Sequence, residues 1–211
     1  MNQRLLFFDV ETTGVLRKSD RDVTKSAGWP RVVSLAWVMV DASGVLRHAH
    51  RVVRPDGWTI PQSATDCHGI TTKHAREAGM PVANVLQELV DACRELRPDV
   101  VVAHNLDFDY KMVGSELHKS GLPQILTGLR PCCTMKSSID LCGLPGRYGD
   151  FKWPKLSELF AKLFGCVFPN AHDAMADVKA LIQCYCAMCQ LGCLNGYPVL
   201  NFPHNLKIIH E

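Results

Sequence analysis

Three mainly apolar runs in the first quarter of the chain predict strands of a sheet. They span Arg4–Val10, Arg31–Val40 and Val45–Arg54, and each is long enough to cross a sheet. The last two are separated only by a turn at Asp41–Gly44, and a connection this short joins antiparallel strands. We therefore expect the sheet to begin as an antiparallel meander.

The spacing of apolar positions then alternates between helix and strand. Val82–Arg97 repeats apolar residues at helical intervals, and Val100–Ala103 is short enough for a buried fourth strand. The later pattern predicts, in order, a helix, a strand and two helices at Asp109–Ser120, Pro131–Met135, Lys155–Phe164 and about Ala171–Leu191. This order predicts an α/β fold, in which a mixed five-stranded sheet is flanked by helices.

The composition is that of a globular domain. The 211 residues are 47% hydrophobic and 21% charged, with a net charge of +2, which excludes a disordered or strongly basic tail protein. No membrane span or signal peptide is expected, and we expect a cytoplasmic protein with reduced cysteines. Residues 1–195 should form one domain, with 196–211 as a tail that packs on the domain or contacts a partner.

Four of the ten cysteines lie close together near the end of the chain, at Cys184, Cys186, Cys189 and Cys193. Two interpretations are open, a zinc site or a buried helix. Structural zinc sites usually place paired cysteines on turns, whereas this spacing continues a helical pattern. We therefore favour the buried helix.

Two acidic side chains mark the end of the first predicted strand. Asp9 and Glu11 are two positions apart, so both carboxylates leave the same face of the strand. Carboxylates placed so close together repel one another, and hard divalent ions such as Mg²⁺ prefer them as ligands. The alternative is an ordinary strand end with two solvated acids.

Two further polar clusters follow later in the chain. The run His104–Asp109 comes directly after the predicted fourth strand, where ligands bind in α/β sheets. His172 and Asp177 lie near the start of the last predicted helix, where the helix dipole favours the neutral imidazole that a general base requires. Taken singly, each cluster could be no more than a helix cap or a packed histidine.

Together the three clusters resemble the DEDDh 3′→5′ exonucleases of the RNase H-like superfamily, which include the proofreading subunit of bacterial DNA polymerase III and RNase T. The family motifs Asp-x-Glu-x-x-Gly, His-Asn-x-x-Phe-Asp and His-x-x-x-x-Asp are matched in order by Asp9, Glu11 and Gly14, by His104, Asn105, Phe108 and Asp109, and by His172 and Asp177. The segments Trp29–Val33 and Lys152–Leu156 are similar to stand-alone bacterial and phage members.

The resemblance implies a two-metal hydrolysis with Mg²⁺, for which Mn²⁺ would substitute. Asp9 would bridge both ions. Glu11 and Asp177 would hold the first ion, and Asp109 the second, directly or through water. His172 would accept the proton of the attacking water, and nucleoside 5′-monophosphates would leave from the 3′ end.

The resemblance also indicates a pocket for the 3′-terminal nucleotide. The residues implied in substrate binding are Thr12, Thr13, His68, Asn105 and Phe108. Of these, Phe108 could instead pack in the core, because it follows a buried strand.

Basic residues fall into two groups that we expect to flank the cleft and guide the phosphate backbone. One group lies in the long polar loop 15–30, and the other between 110 and 155. They are Arg17, Lys18, Arg21 and Lys25, and Lys111, Lys136, Arg147, Lys152 and Lys155. The alternative is a solvated surface of mixed charge.

The expected partner is nucleic acid with a free 3′ end. Single-stranded DNA is favoured, because the similarity to polymerase proofreading domains is the strongest. The alternatives are an RNA-trimming enzyme of the RNase T or oligoribonuclease kind, a metal-dependent RNase H-like endonuclease, and a non-catalytic nucleic-acid-binding module on the same fold. A homodimer is possible, and no membrane association is expected.

Overall fold

A five-stranded mixed sheet forms the centre of the computed structural model, which describes residues 3–200. The strands are β1 (Leu5–Thr12), β2 (Val32–Asp41), β3 (Gly44–Val52), β4 (Val100–Ala103) and β5 (Arg130–Cys133). Their order across the sheet is β3-β2-β1-β4-β5. The first three pair antiparallel, whereas β4 and β5 continue parallel to β1. The predicted mixed sheet with an antiparallel start is therefore confirmed.

Helices cover both faces of the sheet. They are α1 (Gln62–His68), α2 (Thr72–Ala78), α3 (Val82–Leu96), α4 (Leu106–Lys119), α5 (Thr134–Ser137), α6 (Ile139–Cys142), α7 (Leu156–Phe164) and α8 (Ala174–Gln190). One core joins α7 and α8 to the face that carries Phe7, whose ring meets Tyr185 edge to face at 5.2 Å. A second core joins α3 and α4 to the opposite face, around Phe8.

Several predicted boundaries were wrong. Helix α4 begins at Leu106, three residues before the predicted Asp109, because Asn105 adopts the left-handed conformation (φ 71°) that turns the chain from β4 into the helix. Helix α8 begins after Asp173, whose side chain accepts a hydrogen bond from the Ala176 N–H. Strand β5 ends at Cys133 rather than Met135.

Helices α1 and α2 lie in a segment where the apolar spacing predicted no element. Each has only seven residues, which is too short to show an amphipathic stripe. They pack against Val33 of β2 in a small apolar cluster that includes Ala64 of α1 and Ala75 of α2. The packing that stabilises them is therefore tertiary.

The segment that follows α8 packs against the sheet and its helices. The Pro198 carbonyl accepts a hydrogen bond from the Tyr185 hydroxyl at 2.8 Å, and the Gly196 carbonyl accepts one from Arg130 Nη1 at 2.8 Å. Leu200 is buried in the core that contains α8. Residues 201–211 of the predicted tail lie outside the described residues, so the division into domain and tail stays a prediction.

The cysteine cluster lies on and just after α8. Cys184 is buried against the sheet, Cys186 and Cys189 are half-buried on the helix, and Cys193 follows its end. Within residues 3–200, no group of side chains placed to hold a metal ion includes a cysteine. The structure therefore shows the helix that the spacing predicts. No helix in this part of the chain is both long and apolar enough to cross a membrane.

Candidate active site

The site begins where two parallel strands separate. Strands β1 and β4 are paired only as far as Phe7 and Val102. Beyond that point the Val10 N–H has no partner on β4 and donates instead to Asp109 Oδ1 at 3.1 Å. Asp109 lies in the first turn of α4 and is buried. Its carboxylate is thus held against β1, at the crevice where α/β sheets bind ligands.

Asp9 and Glu11 project from the face of β1 that α8 covers. Their neighbours on this face, Leu5 and Phe7, belong to the core that contains α8. The β1–β2 register shifts directly after Glu11, and such bulges re-aim side chains next to active sites. Glu11 is itself buried near the end of the strand.

Helix α8 carries the third cluster to the same edge of the sheet. Ligand atoms of Glu11, His172 and Asp177 lie within 4.8 Å of one another. The His172 backbone N–H donates to Asp177 Oδ2 at 3.2 Å, so the two residues of the third motif are joined directly. A metal ion could be held by this group, because carboxylate oxygens and imidazole nitrogens are common ligands.

Burial and mutual repulsion raise the pKa of all four acids. For Glu11, burial and then the charge of Asp9 raise the pKa to about 9. Burial raises the pKa of Asp177 to about 6. The pKa values of Asp9 and Asp109 are raised well above the ordinary range by burial, to which Asp177 adds for Asp9 and Asp9 adds for Asp109. At neutral pH Asp177 would be largely ionised and Glu11 largely protonated, and a cation held among the four carboxyls would favour their ionised forms.

His172 is exposed and its backbone is strained. Its φ of 71° lies in the left-handed region, which costs a residue with a bulky side chain about 1–3 kcal/mol and is typical of functional sites. The next residue, Asp173, caps α8 and raises the pKa of Asp9 and Glu11. Asp173 was not among the residues predicted for the site, because its effect depends on how close α8 lies to β1.

The two threonines predicted to meet the terminal nucleotide lie beside the acids. The Thr12 hydroxyl donates to the Gly14 carbonyl at 2.6 Å. The Thr13 hydroxyl accepts a hydrogen bond from the Arg31 N–H at 2.8 Å, and the Thr13 N–H donates to the Arg31 carbonyl at 2.9 Å. Thr13 is therefore held by the segment that enters β2, and Thr12 by the turn that follows β1.

The other predicted substrate residues have different surroundings. His68 Nδ1 accepts a hydrogen bond from the Ile70 N–H at 3.1 Å, while its Nε2 is buried without a partner. Asn105 is exposed at the start of α4. Phe108 is half-buried and packs against the core, yet it also lines a groove beside the site. Its packing in the core is therefore compatible with contact to a substrate.

The histidine of the second motif connects the site to a distant loop. His104 Nε2 lies 2.9 Å from the Pro154 carbonyl, and Nδ1 lies 3.0 Å from Thr134 Oγ1. Burial lowers the pKa of His104, so the ring is neutral, with Nε2–H donating to Pro154. Sequence reasoning gave His104 no separate role, since its partner is 50 residues away.

The two groups of basic residues are only partly brought together. Arg17, Lys18, Arg21 and Lys111 line one groove of about 600 Å³ next to Asn105. The others lie elsewhere: Lys25 is paired with Asp22, Lys136 lines a separate cavity of about 520 Å³, Arg147 lies over the Tyr148 ring, Lys152 is paired with Glu158, and Lys155 precedes α7.

Comparison with known proteins decides the family. The family model of the RNase T exonucleases matches residues 6–185. The chain belongs to this exonuclease family. The predicted RNase H-like 3′→5′ exonuclease family is therefore confirmed. The matched range contains all five residues predicted to be catalytic, which are Asp9, Glu11, Asp109, His172 and Asp177.

Curated relatives of this exonuclease domain are large polymerases. A DNA polymerase III PolC-type protein of Streptococcus suis (strain 98HAH33) is 30% identical over 173 residues, which are 82% of this chain and 10% of that protein. A DNA polymerase III PolC-type protein of Streptococcus pneumoniae serotype 2 (strain D39 / NCTC 7466) is 28% identical over 173 residues, which are again 82% of this chain and 10% of that protein. The chain thus spans about a tenth of the length of these relatives.

Solved structures with the same fold include exonuclease I. One exonuclease I structure superimposes with a TM-score of 0.70 at 20% identity and covers 89% of this chain and 41% of that chain. Escherichia coli exonuclease I in complex with a dT13 oligonucleotide superimposes with a TM-score of 0.68 at 21% identity and covers 90% of this chain and 40% of that chain. At this identity the similarity shows the fold alone.

Proposed function

We propose that this exonuclease domain removes nucleotides from the 3′ end of nucleic acid in a reaction that requires divalent metal ions. The observation that carries the proposal is the meeting of three distant motifs at one edge of the sheet. Asp109 is bonded to β1 at Val10, and Glu11, His172 and Asp177 form a group that spans less than 4.8 Å. Residues from β1, α4 and the start of α8 would have little reason to meet there in a purely structural protein.

The donor set fits divalent ions. We assign Asp9, Glu11, Asp109 and Asp177 as ligands of two Mg²⁺ ions, with Mn²⁺ as a substitute, because all four carboxyls are held together although burial disfavours their charge. Bound ions would lower the pKa of a water molecule and stabilise charge on the attacking and leaving oxygens.

His172 is the proposed general base. Its side chain is exposed at the mouth of the site, and its backbone is fixed to Asp177. An imidazole in this place can accept the proton of the attacking water and release it to solvent. The carboxylates would not act as nucleophiles.

Thr12, Thr13 and His68 are the proposed contacts of the 3′-terminal nucleotide. The Thr13 hydroxyl accepts a hydrogen bond from Arg31, so its own proton is free to reach a ligand. His68 lies beside the Thr12 backbone, which acts on its pKa against the effect of burial, so its imidazole is close to the proposed nucleotide contact at Thr12. Both groups would favour a free hydroxyl end over an internal bond.

Single-stranded DNA is the proposed substrate. The relatives are named as DNA polymerase III, and E. coli exonuclease I has been solved with dT13 and dA16 oligonucleotides. RNA trimming is the second candidate. A cytoplasmic location and a homodimer stay predictions.

The test is hydrolysis of an oligonucleotide with a labelled 3′-terminal nucleotide in Mg²⁺. We expect labelled nucleoside 5′-monophosphate, and no product after EDTA or in Asp9→Ala. The matched control is Asp56→Ala, which removes an exposed carboxylate outside the site and should leave the rate unchanged. Labelled fragments longer than a mononucleotide would contradict exonuclease action, and activity that survives EDTA would contradict the metal requirement.

A parallel assay on single-stranded DNA, double-stranded DNA and RNA of one sequence tests the substrate. We expect the highest kcat/KM on single-stranded DNA. A higher value on RNA would assign the enzyme to the second candidate function.

A further inference from the structure

The groove of about 600 Å³ beside the candidate site combines positive charge with aromatic side chains. It lies between the loop that follows β1 and the start of α4. The residues relevant here are Arg17, Lys18, Arg21, Lys111, Phe108 and Trp153. We call this surface the basic groove.

The charge of the basic groove is available to a ligand. Its lining carries four basic side chains against two acids, Asp20 and Asp107, so the groove is net positive even though Asp107 is paired with Lys111. Within residues 3–200, no ion pair involves the side chains of Arg17, Lys18 or Arg21. These three cations can therefore meet an external polyanion.

Trp153 supplies a stacking platform at the edge of this groove. Trp153 is 60% exposed, although its large aromatic ring is usually buried in cores or interfaces. An exposed aromatic ring next to cations is the arrangement with which proteins bind single-stranded nucleic acid, because every base offers a π-face.

The position of Trp153 is fixed relative to the site. The neighbouring Pro154 carbonyl accepts the hydrogen bond from His104, which directly precedes Asn105 in the basic groove. The turn before Trp153 is closed by backbone bonds from Gly146 to Asp150 (2.7 Å) and from Lys152 to Leu144 (3.0 Å). The backbone that carries the ring is thereby fixed, so stacking of a base orders mainly the two side-chain torsions of Trp153.

We propose that the basic groove binds the unpaired strand upstream of the 3′-terminal nucleotide, with a base stacked on Trp153 and phosphates contacted by Arg17, Lys18 and Arg21. This inference rests on the proposed function, because it places the 3′ end at the neighbouring acids. It selects a single strand, since a paired base inside a duplex cannot expose its face to the indole.

The first experiment compares substrate lengths. For Trp153→Ala we expect the KM of an octanucleotide to rise about tenfold, as removal of one stacked base implies, with a smaller change for a dinucleotide. Trp153→Phe should recover most of the affinity, whereas Trp153→Leu, which keeps apolar area without a π-face, should not. Tyr148→Ala is the matched control, because Tyr148 is an exposed aromatic of the same loop outside the groove.

The second experiment tests the phosphate contacts. In the triple variant Arg17→Ala/Lys18→Ala/Arg21→Ala, the slope of log affinity against log salt should become shallower by about 0.7 for each phosphate of a single strand that is no longer neutralised. Arg94→Ala, an exposed cation on α3, should leave the slope unchanged.

Binding measured without hydrolysis separates this inference from the proposed function. Fluorescence anisotropy of a labelled octanucleotide in EDTA reports binding alone. If the parent chain releases no nucleotide but Trp153→Ala still weakens binding, the proposed function fails and the groove proposal holds. If hydrolysis proceeds while Trp153→Ala and the triple variant bind like the parent, or while a blunt duplex binds equally well, the groove proposal is overturned.

Discussion

A buried ion pair beside the predicted nucleotide pocket yields an asymmetric stability prediction. Arg31 Nε and Nη2 contact Glu116 Oε1 and Oε2 at 2.7 and 3.0 Å. The Glu116 side chain is 1% exposed and that of Arg31 is 29% exposed, above the Trp58 ring at 5.3 Å. Removing Arg31 thus leaves a buried carboxylate that keeps a long hydrogen bond from the Val32 N–H (3.4 Å) but loses its ion pair, whereas removing Glu116 leaves a cation that water can reach.

The expected costs follow from this difference. Arg31→Met should lower the free energy of unfolding by about 3–5 kcal/mol, the usual cost of breaking a buried pair. Glu116→Gln should cost about 1–3 kcal/mol, because Arg31 still contacts water, the Trp58 ring and the amide oxygen of the new glutamine. For a chain of this size, each kcal/mol lowers Tm by about 2–4 °C, so Arg31→Met should melt about 10 °C below the parent.

Urea denaturation of Arg31→Met, Glu116→Gln and the double variant measures the interaction free energy of the pair. The matched control is Arg47→Met. The pair of Arg47 with Glu95 has a similar distance of 2.8 Å, but the two side chains are 45% and 68% exposed, respectively. This substitution should therefore lower the free energy of unfolding by less than about 1 kcal/mol. The reasoning is refuted if Arg31→Met costs no more than this control, or no more than Glu116→Gln.

Three further predictions concern the candidate site. The metal-free chain should lose stability as pH rises, because Glu11 (pKa about 9, against 4.5 unperturbed) and Asp177 (about 6, against 3.8) keep protons in the folded state that the unfolded chain has released. The loss should run from about pH 4 to 9 in thermal melts in EDTA and should shrink in Mg²⁺. An unchanged profile in Mg²⁺ would contradict the metal site. Asp109→Asn should raise the Tm measured in EDTA at neutral pH while nuclease activity is lost, because the amide needs no proton uptake on folding, unlike the buried carboxyl, and keeps an oxygen for Val10; a lower Tm would count against this explanation. His172→Gln should lower kcat by about 10²–10⁴ with little change in KM, and a change confined to KM would assign His172 to binding instead.

Much of the fold could be predicted from the sequence because it depends on local spacing. Strand β2 is buried along its whole length and helix α3 along one stripe, so a continuous apolar run and a helical spacing were enough to predict them before their partners were known. Helices α1 and α2 could not be found in this way, since seven residues are stabilised only by the apolar cluster over Val33.

The candidate site divides in the same manner. The sequence alone determined which acids form the motifs and in what order they follow along the chain. It also put Asp9 and Glu11 on one face, because residues two positions apart on a strand share a face wherever that strand lies. Only the tertiary structure decided that Asp109 replaces the missing β4 partner of Val10, and that His104 holds the loop of Trp153 through Pro154. These hydrogen bonds join residues 50 to 99 positions apart, and a separation of that size is closed by packing of the whole sheet rather than by any local preference.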